Sequence, residues 1–325
     1  MLGKKIVTIS GGTGGFMVNR GLLKYPVAPT AICTVFDSGG STGVLRDEFG
    51  SLPQGDIRKC MLALASDSDD TLRELFNHRF AKNNSSLSDH NLGNLLLLAA
   101  EQHWGPIEGT RRVSRVLGVR GEVLPISTDK AHIYAELSDG STMCGEKFID
   151  TRSIEDNRTI RRVWLEPAAT ITREASEAIV AADLIVIGPG DLYTSIIPNL
   201  LVGGIQEAIA QSKAKLVYVA NTMTKWSETR GFDVADFVDT LLAYGVGRDS
   251  FDTVVVSAIA PPQALLERYA KKEKSFPVVY TPTVKARLEG RVSEFVEGDF
   301  LSQAGVEQGL IRHDSDKLAY ELVRL

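Results

Sequence analysis

Four consecutive apolar residues, Leu184-Ile185-Val186-Ile187, run directly into Gly188-Pro189-Gly190. A strand that is apolar on both sides must be covered on both faces, as happens in parallel sheets flanked by helices. The same order opens the chain. Residues 5–10 read as an apolar β run, residues 11–15 as a glycine loop and residues 16–24 as a helix. A second β run at 30–36 and a second glycine-rich loop at 38–43 follow. Strand, loop, helix and strand at this spacing make a βαβ unit with parallel strands and a right-handed crossover.

The rest of the chain extends the pattern with one interruption. Apolar spacing predicts helices at 57–65 and 72–80, and a core helix at 91–102 with Leu92, Leu95, Leu96 and Ala99 on one face. Residues 122–166 change character. Strands are expected at 123–126, 133–137 and 142–148, with Asp139-Gly140 as the turn between the last two, so this span reads as an antiparallel β insertion. The α/β rhythm resumes with a helix at 174–181, strands at 216–220 and 254–257, and helices at 203–211 and 234–244. Asp233 is placed to cap the last of these, and Asp314 a final helix running to 325. One α/β domain over residues 1–325 carrying a β insertion is the simplest organisation.

Composition excludes several classes. The net charge is −5, from 41 acidic and 36 basic side chains with no basic run, which argues against a nucleic-acid partner. The three cysteines, Cys33, Cys60 and Cys144, have no metal-ligand spacing, so reduced buried thiols are expected. Met-Leu-Gly-Lys-Lys leads straight into a strand with no signal peptide, and no apolar stretch could span a bilayer. A cytoplasmic location follows as an expectation.

Three loops carry the chemistry. Gly11-Gly12-Thr13-Gly14-Gly15 lies between a strand and a helix, where backbone N–H groups and the helix N-terminus favour an anion. Met17 stands where a dinucleotide fingerprint needs its third glycine, and the lysine of a P-loop is absent, so an NAD-linked oxidoreductase ranks low. Asp37-Ser38-Gly39-Gly40-Ser41-Thr42-Gly43 follows the second strand, with Asp37 where a ribose would be gripped. Gly188-Pro189-Gly190-Asp191-Leu192-Tyr193-Thr194-Ser195 follows the buried strand and repeats the logic of the first loop. Asp56 opens a helix, as a cap or as a carboxylate facing a metal. Ser88-Asp89-His90-Asn91-Leu92-Gly93-Asn94 opens another, where polar groups can reach a ligand, although a lone histidine such as His90 is more often a capping or solvated residue than a catalyst. A ligand with several charged or polar groups, lying across the strand ends, accounts for all three loops.

In this order, with Gly55-Asp56-Ile57-Arg58, Leu92-Gly93-Asn94, Asn221-Thr222-Met223-Thr224, Glu228-Thr229 and Arg312-His313-Asp314, the motifs resemble the gluconeogenesis-factor (YvcK-like) family over nearly the whole chain. That family shares a superfamily with the 2-phospho-L-lactate transferases of deazaflavin coenzyme synthesis. The resemblance implies a Rossmann-like three-layer α/β/α fold. It implies a nucleotide-sugar ligand, UDP-N-acetylglucosamine, and a regulatory role in cell-wall precursor supply and cell shape during gluconeogenic growth. On that reading Gly11, Gly12, Thr13, Gly14 and Gly15, with Gly188, Gly190, Asp191, Leu192, Tyr193 and Thr194, hold diphosphate and sugar. Asp37, backed by Ser38, Gly39, Gly40 and Ser41, takes a ribose or base hydroxyl. Asn91, Asn94, Asn221 and Thr224 complete the polar lining, and Arg312 supplies positive charge. A regulated protein partner and a homo-oligomer are both compatible with it, and no catalytic residue is assigned.

The transferase branch implies instead a guanosine diphosphate donor, a deazaflavin acceptor and Mg²⁺ held by Asp37 and Asp56. Three positions depart from the family pattern: Ser38 replaces a second aspartate, Val44 an arginine and Asp191 a serine. A carboxylate at 191 weakens anion binding unless it points away or meets a cation.

Overall fold

A computed structural model describes residues 3–66 and 70–325. Among the described residues, strands β1 (Lys5–Ser10), β2 (Ala28–Cys33), β3 (Glu122–Pro125), β4 (His132–Leu137), β5 (Thr142–Cys144), β6 (Ile160–Glu166), β7 (Leu184–Ile187), β8 (Lys215–Val219), β9 (Phe251–Ser257) and β10 (Val292–Gly298) form two sheets. The large one runs β10-β9-β8-β7-β1-β2-β3 with every neighbouring pair parallel. The small one, β5-β4-β6, is antiparallel.

Alternation along the strands explains the layers. Ile6, Leu184, Val186, Val217, Val219 and Val255 form one buried face, packed on Val18 and Leu22 of helix α1 (Gly12–Leu22) and on Leu318 and Leu322 of the C-terminal helix Ser315–Arg324. Val7, Ile9, Ile185, Ile187, Leu216 and Tyr218 form the opposite face within the larger core. Both faces are therefore covered, as the unbroken apolar run of β7 requires. The caps expected at Asp233 and Asp314 are present: Asp233 forms a capping box with Asp236, and Asp314 Oδ1 accepts the N–H groups of Asp316 and Lys317 at 2.9 and 3.0 Å.

The middle of the chain holds α2 (Gly40–Phe49), α3 (Gln54–Leu64), α4 (Asp70–Asn77), α5 (Leu92–Trp104), α6 (Pro106–Val116) and α7 (Glu146–Asp150). Four expectations are corrected here. Residues 40–43 are the first turn of α2, because the glycines that read as a loop also permit the tight entry into it. Residues 123–126 do not begin the insertion; β3 pairs with β2 at the edge of the large sheet, Ile32 opposite Leu124. Val123 and Leu124 are adjacent, apolar and buried, which is the signature of a parallel strand and not of an alternating one. Residues 146–148 turn into α7 after Gly145, whose φ of 98° ends the strand. Cys144 is exposed, because β5 is an outer strand; Cys33 and Cys60 are buried.

The order of strands fixes where a site can be. From β1 the chain moves outward through β2 and β3, makes the small sheet, and returns to lay β7 on the other side of β1. The switch point of the sheet thus lies between the carboxyl ends of β1 and β7, where open α/β sheets form a crevice. No helix among the described residues is long and apolar enough to cross a membrane.

Candidate functional site

The first and third glycine loops emerge at this switch point and touch through their backbones. A Cβ on Gly14 would lie 2.3 Å from the Pro189 carbonyl oxygen, and one on Gly11 would lie 2.9 Å from Ser195 Cβ. Gly12 (φ 63°) and Gly188 (φ 69°) hold the left-handed conformation that the two turns need. Helix α1 begins at once, so the N–H groups of Thr13 and Gly14 have no acceptor within the helix, and the positive end of its dipole lies beside them.

These groups open on a cleft of about 390 Å³ lined by Thr13, Gly14, Gly190, Asp191, Asn221 and Arg312, among others. Asn221 clamps the third loop: its amide donates to the Gly190 carbonyl at 2.8 Å and accepts the Gly190 N–H at 3.5 Å. His313 is buried with Nε2 3.1 Å from the Ala220 carbonyl, so that nitrogen carries the proton. Burial pushes its pKa down to about 4 and keeps the ring neutral. The Arg312 carbonyl accepts the Ser302 N–H at 2.9 Å, which fixes the backbone while the guanidinium stays exposed at the mouth.

Asp191 meets a cation. Lys225 Nζ stands 2.9 Å from its Oδ2, against Asp150 of α7, and 3.8 Å from Glu228 Oε1. The three carboxylates lie within 4.8 Å of one another around this ammonium. Glu228 is fully buried and accepts the Tyr193 N–H and the Thr194 hydroxyl, each at 2.7 Å. Burial and the charge of Asp191 push it up to about 7, against the pull of Lys225. Burial alone would lower the Lys225 pKa, but Asp191, Glu228 and Asp150 outweigh it and hold the ammonium charged. Leu192, Tyr193 and Thr194, expected to touch ligand, turn into the core over a π-helical segment and anchor the loop from behind.

The second loop forms a neighbouring acidic corner. Asp37 Oδ1 accepts the Gly39 N–H at 2.7 Å, and Glu146 of α7 reaches the Ser38 N–H at 3.5 Å. Burial, then the charge of Asp37, pushes Glu146 up to about 9; Asp37 is raised by burial and by Asp56. Asp56 belongs to the first loop as much as to this one. Its Oδ2 accepts the Gly12 N–H at 3.1 Å, satisfying one open donor of α1, and its Oδ1 pairs with Lys59 at 2.8 Å. Asp37, Asp56 and Glu146 do not bring their oxygens within 4.8 Å of one another as a set; among the described residues only Asp150, Asp191 and Glu228 do, and Lys225 sits among those.

Other expected ligand residues hold the scaffold. Ser41 Oγ lies 3.1 Å from His90 Nδ1 and accepts from Asn91 N–H and Asn94 Nδ2, both at 3.4 Å. Asn91 caps α5 with its oxygen, 3.3 Å from Asn94 N, and its amide donates to the Asn77 carbonyl. Thr224 Oγ1 accepts the Phe276 N–H at 3.0 Å, away from the cleft. Conversely, Lys225, Lys59 and Glu146 carry no expectation from the sequence, and Glu228 enters only within the Glu228-Thr229 motif. Lys225 and Glu228, three apart beside Asn221-Thr222-Met223-Thr224, were the one sequence signal for the knot.

A doubly wound parallel sheet with a cleft at its switch point, flanked by a small antiparallel sheet, defines an α/β protein of the Rossmann-like class. The family model described as 2-phospho-L-lactate transferase CofD matches residues 6–301, and the chain belongs to the CofD family. It is 42% identical over 324 residues to a putative gluconeogenesis factor of Nostoc, covering 99% of this chain and 68% of that protein. It is 39% identical over 323 residues to the gluconeogenesis factor of Bacillus subtilis, covering 99% and 98%. A crystal structure of a UPF0052-family protein from Bacillus halodurans superposes with a TM-score of 0.90 at 38% identity, covering 99% of each chain.

Proposed function

We propose that the chain is a nucleotide-sugar-binding regulator whose ligand, UDP-N-acetylglucosamine, lies in the switch-point cleft. The observation that carries this is the pairing of two anion-seeking features in one cleft, the open N–H groups at the start of α1 and the exposed Arg312. The diphosphate lies between them. The titratable side chains of the lining are Asp191, Glu273, Arg312 and His313; Lys225 holds Asp191, and the Ala220 carbonyl holds a neutral His313. Such groups suit retention of a ligand more than proton transfer to it. Relatives that carry the name gluconeogenesis factor support a role in gluconeogenic growth; control of cell-wall precursor supply and cell shape through a protein partner is the finer part of this proposal.

A second reading, transfer of a phospholactyl group to a deazaflavin, draws on the acidic corner. There Asp37 and Asp56 would hold Mg²⁺, which would neutralise charge on a diphosphate leaving group. The test is equilibrium dialysis against UDP-N-acetylglucosamine and, separately, free N-acetylglucosamine. Retention of the first and not the second supports diphosphate capture. Equal retention, or none, removes the regulator reading.

A further inference from the structure

The helix Gln263–Glu273 borders the cleft and is only loosely joined to the body of the fold. None of its residues is fully buried, and Leu265, Leu266, Tyr269 and Ala270 join neither apolar core. Polar contacts fasten it instead. The Arg268 guanidinium donates to the Gly309 carbonyl, and the Tyr269 hydroxyl accepts the Ile311 N–H at 3.2 Å. An element with so little buried apolar surface opens at a free-energy cost well below that of global unfolding.

Both fastenings fall on the segment that carries Arg312. Ile311, Arg312 and His313 line one side of the cleft, and Glu273, the last residue of the helix, lines it too. Past Glu273 the chain turns at Lys274, whose φ of 47° is a left-handed conformation uncommon for a residue with a side chain. The Lys274 ammonium anchors that turn. It donates to the Ile154 carbonyl at 2.8 Å and lies 4.4 Å from the centre of the Trp226 ring. A helix weakly held along its length and anchored at one end moves about that end, because a few terminal residues absorb the change in φ and ψ.

Resting on the nucleotide reading above, we infer that the helix Gln263–Glu273 is a lid on the switch-point cleft, pivoting at Lys274. With the lid away, the mouth admits the ligand. With it down, Arg268 and Tyr269 hold the backbone at Gly309 and Ile311 and so aim Arg312 at the diphosphate. Tyr269 is thus a positioning residue that acts through Arg312. Occupancy of the cleft also fixes a loosely held surface helix, which gives the outside of the molecule a ligand-dependent feature.

The experiment is hydrogen exchange of the full chain, read by mass spectrometry with and without UDP-N-acetylglucosamine, beside equilibrium dialysis of the same samples. In the free chain the amides of 263–273 are expected to exchange at least tenfold faster than those of α1, through an opening that leaves the sheet protected. Saturating ligand should slow them tenfold or more. Tyr269→Phe keeps the ring and loses only the bond to Ile311. It should release radiolabelled UDP-N-acetylglucosamine several-fold faster in a chase with unlabelled ligand, with the melting temperature unchanged. Free-chain amides of 263–273 as protected as those of α1 would overturn the lid whatever the ligand. Retention of the UDP-sugar with no change in their exchange would overturn closure while leaving the nucleotide reading standing. Release from Tyr269→Phe at the wild-type rate would remove the positioning role. No retention of the UDP-sugar by wild type would end the nucleotide reading, and closure over it as well.

Discussion

Lys225 Nζ lies 2.9 Å from Asp191 Oδ2, and this pairing allows a carboxylate to stand at the rim of the cleft proposed to take a diphosphate. The cost of an acid at that position is met by a lysine that also ties α7 and Glu228 into the same knot. The two partners should therefore respond in opposite directions. Asp191→Ser relieves about 1 kcal/mol of repulsion at a partly solvated rim and should tighten UDP-N-acetylglucosamine binding roughly threefold to tenfold. Lys225→Met leaves three carboxylates uncompensated. It should cost about 2–3 kcal/mol of stability, discounted from the ~3–5 for a fully buried pair because the lysine is one-third exposed. Thermal melts and titration of both variants check this; equal affinities in wild type and Asp191→Ser would mean the rim charge does not matter.

Backbone contact between the two loops makes a sharper steric prediction. Gly14→Ala drives a methyl group into the Pro189 carbonyl and should destabilise by about 1–3 kcal/mol, weakening ligand binding as the loops part. Gly12→Ala meets open space and pays only for its left-handed φ, about 1 kcal/mol. Chemical denaturation should rank Gly14→Ala as the worse of the two.

Stability should fall as the pH rises. A carboxyl held above its unfolded value keeps a proton that the unfolded chain has released, so its contribution is full below the unfolded pKa and is lost through the folded one. For Glu228 the window runs from 4.5 to about 7, and for Glu146 from 4.5 to about 9. The melting temperature is expected to decline from pH 5 to pH 9, and Glu146→Gln should flatten the upper half of that decline. A wild-type profile that is flat above pH 7 contradicts the assignment for Glu146.

Arg312→Ala should weaken UDP-N-acetylglucosamine by about 1–3 kcal/mol through loss of a charge-assisted contact, leaving the melting temperature within a degree or two because the side chain is exposed. Unchanged affinity would take Arg312 out of the site.

What could be read from the chain divides along physical lines. Strands buried on both faces, such as β7, and loops fixed by backbone geometry, such as residues 11–15 and 188–190, leave a local pattern in apolar runs and glycines. Outer elements do not. β6 exposes Arg161, Arg162 and Glu166, and β10 exposes Ser293 and Glu294, so neither presents an apolar run to find. The site divides in the same way. Gly14, Gly190, Asn221 and Arg312 come from glycine or polar motifs and do meet at one cleft. Whether Asn91 caps a helix or faces the cleft depends on where Asn77 falls, and Asp191 is explained only by Lys225. Those are contacts between distant segments, which no local pattern encodes.

The most direct measurement is calorimetric titration of the purified chain with UDP-N-acetylglucosamine, with and without Mg²⁺, beside GDP and a deazaflavin. Binding of the UDP-sugar at one site, indifferent to Mg²⁺ and unmatched by GDP, is the predicted result. Mg²⁺-dependent binding of GDP together with the deazaflavin, and none of the UDP-sugar, would contradict it and make the chain a transferase.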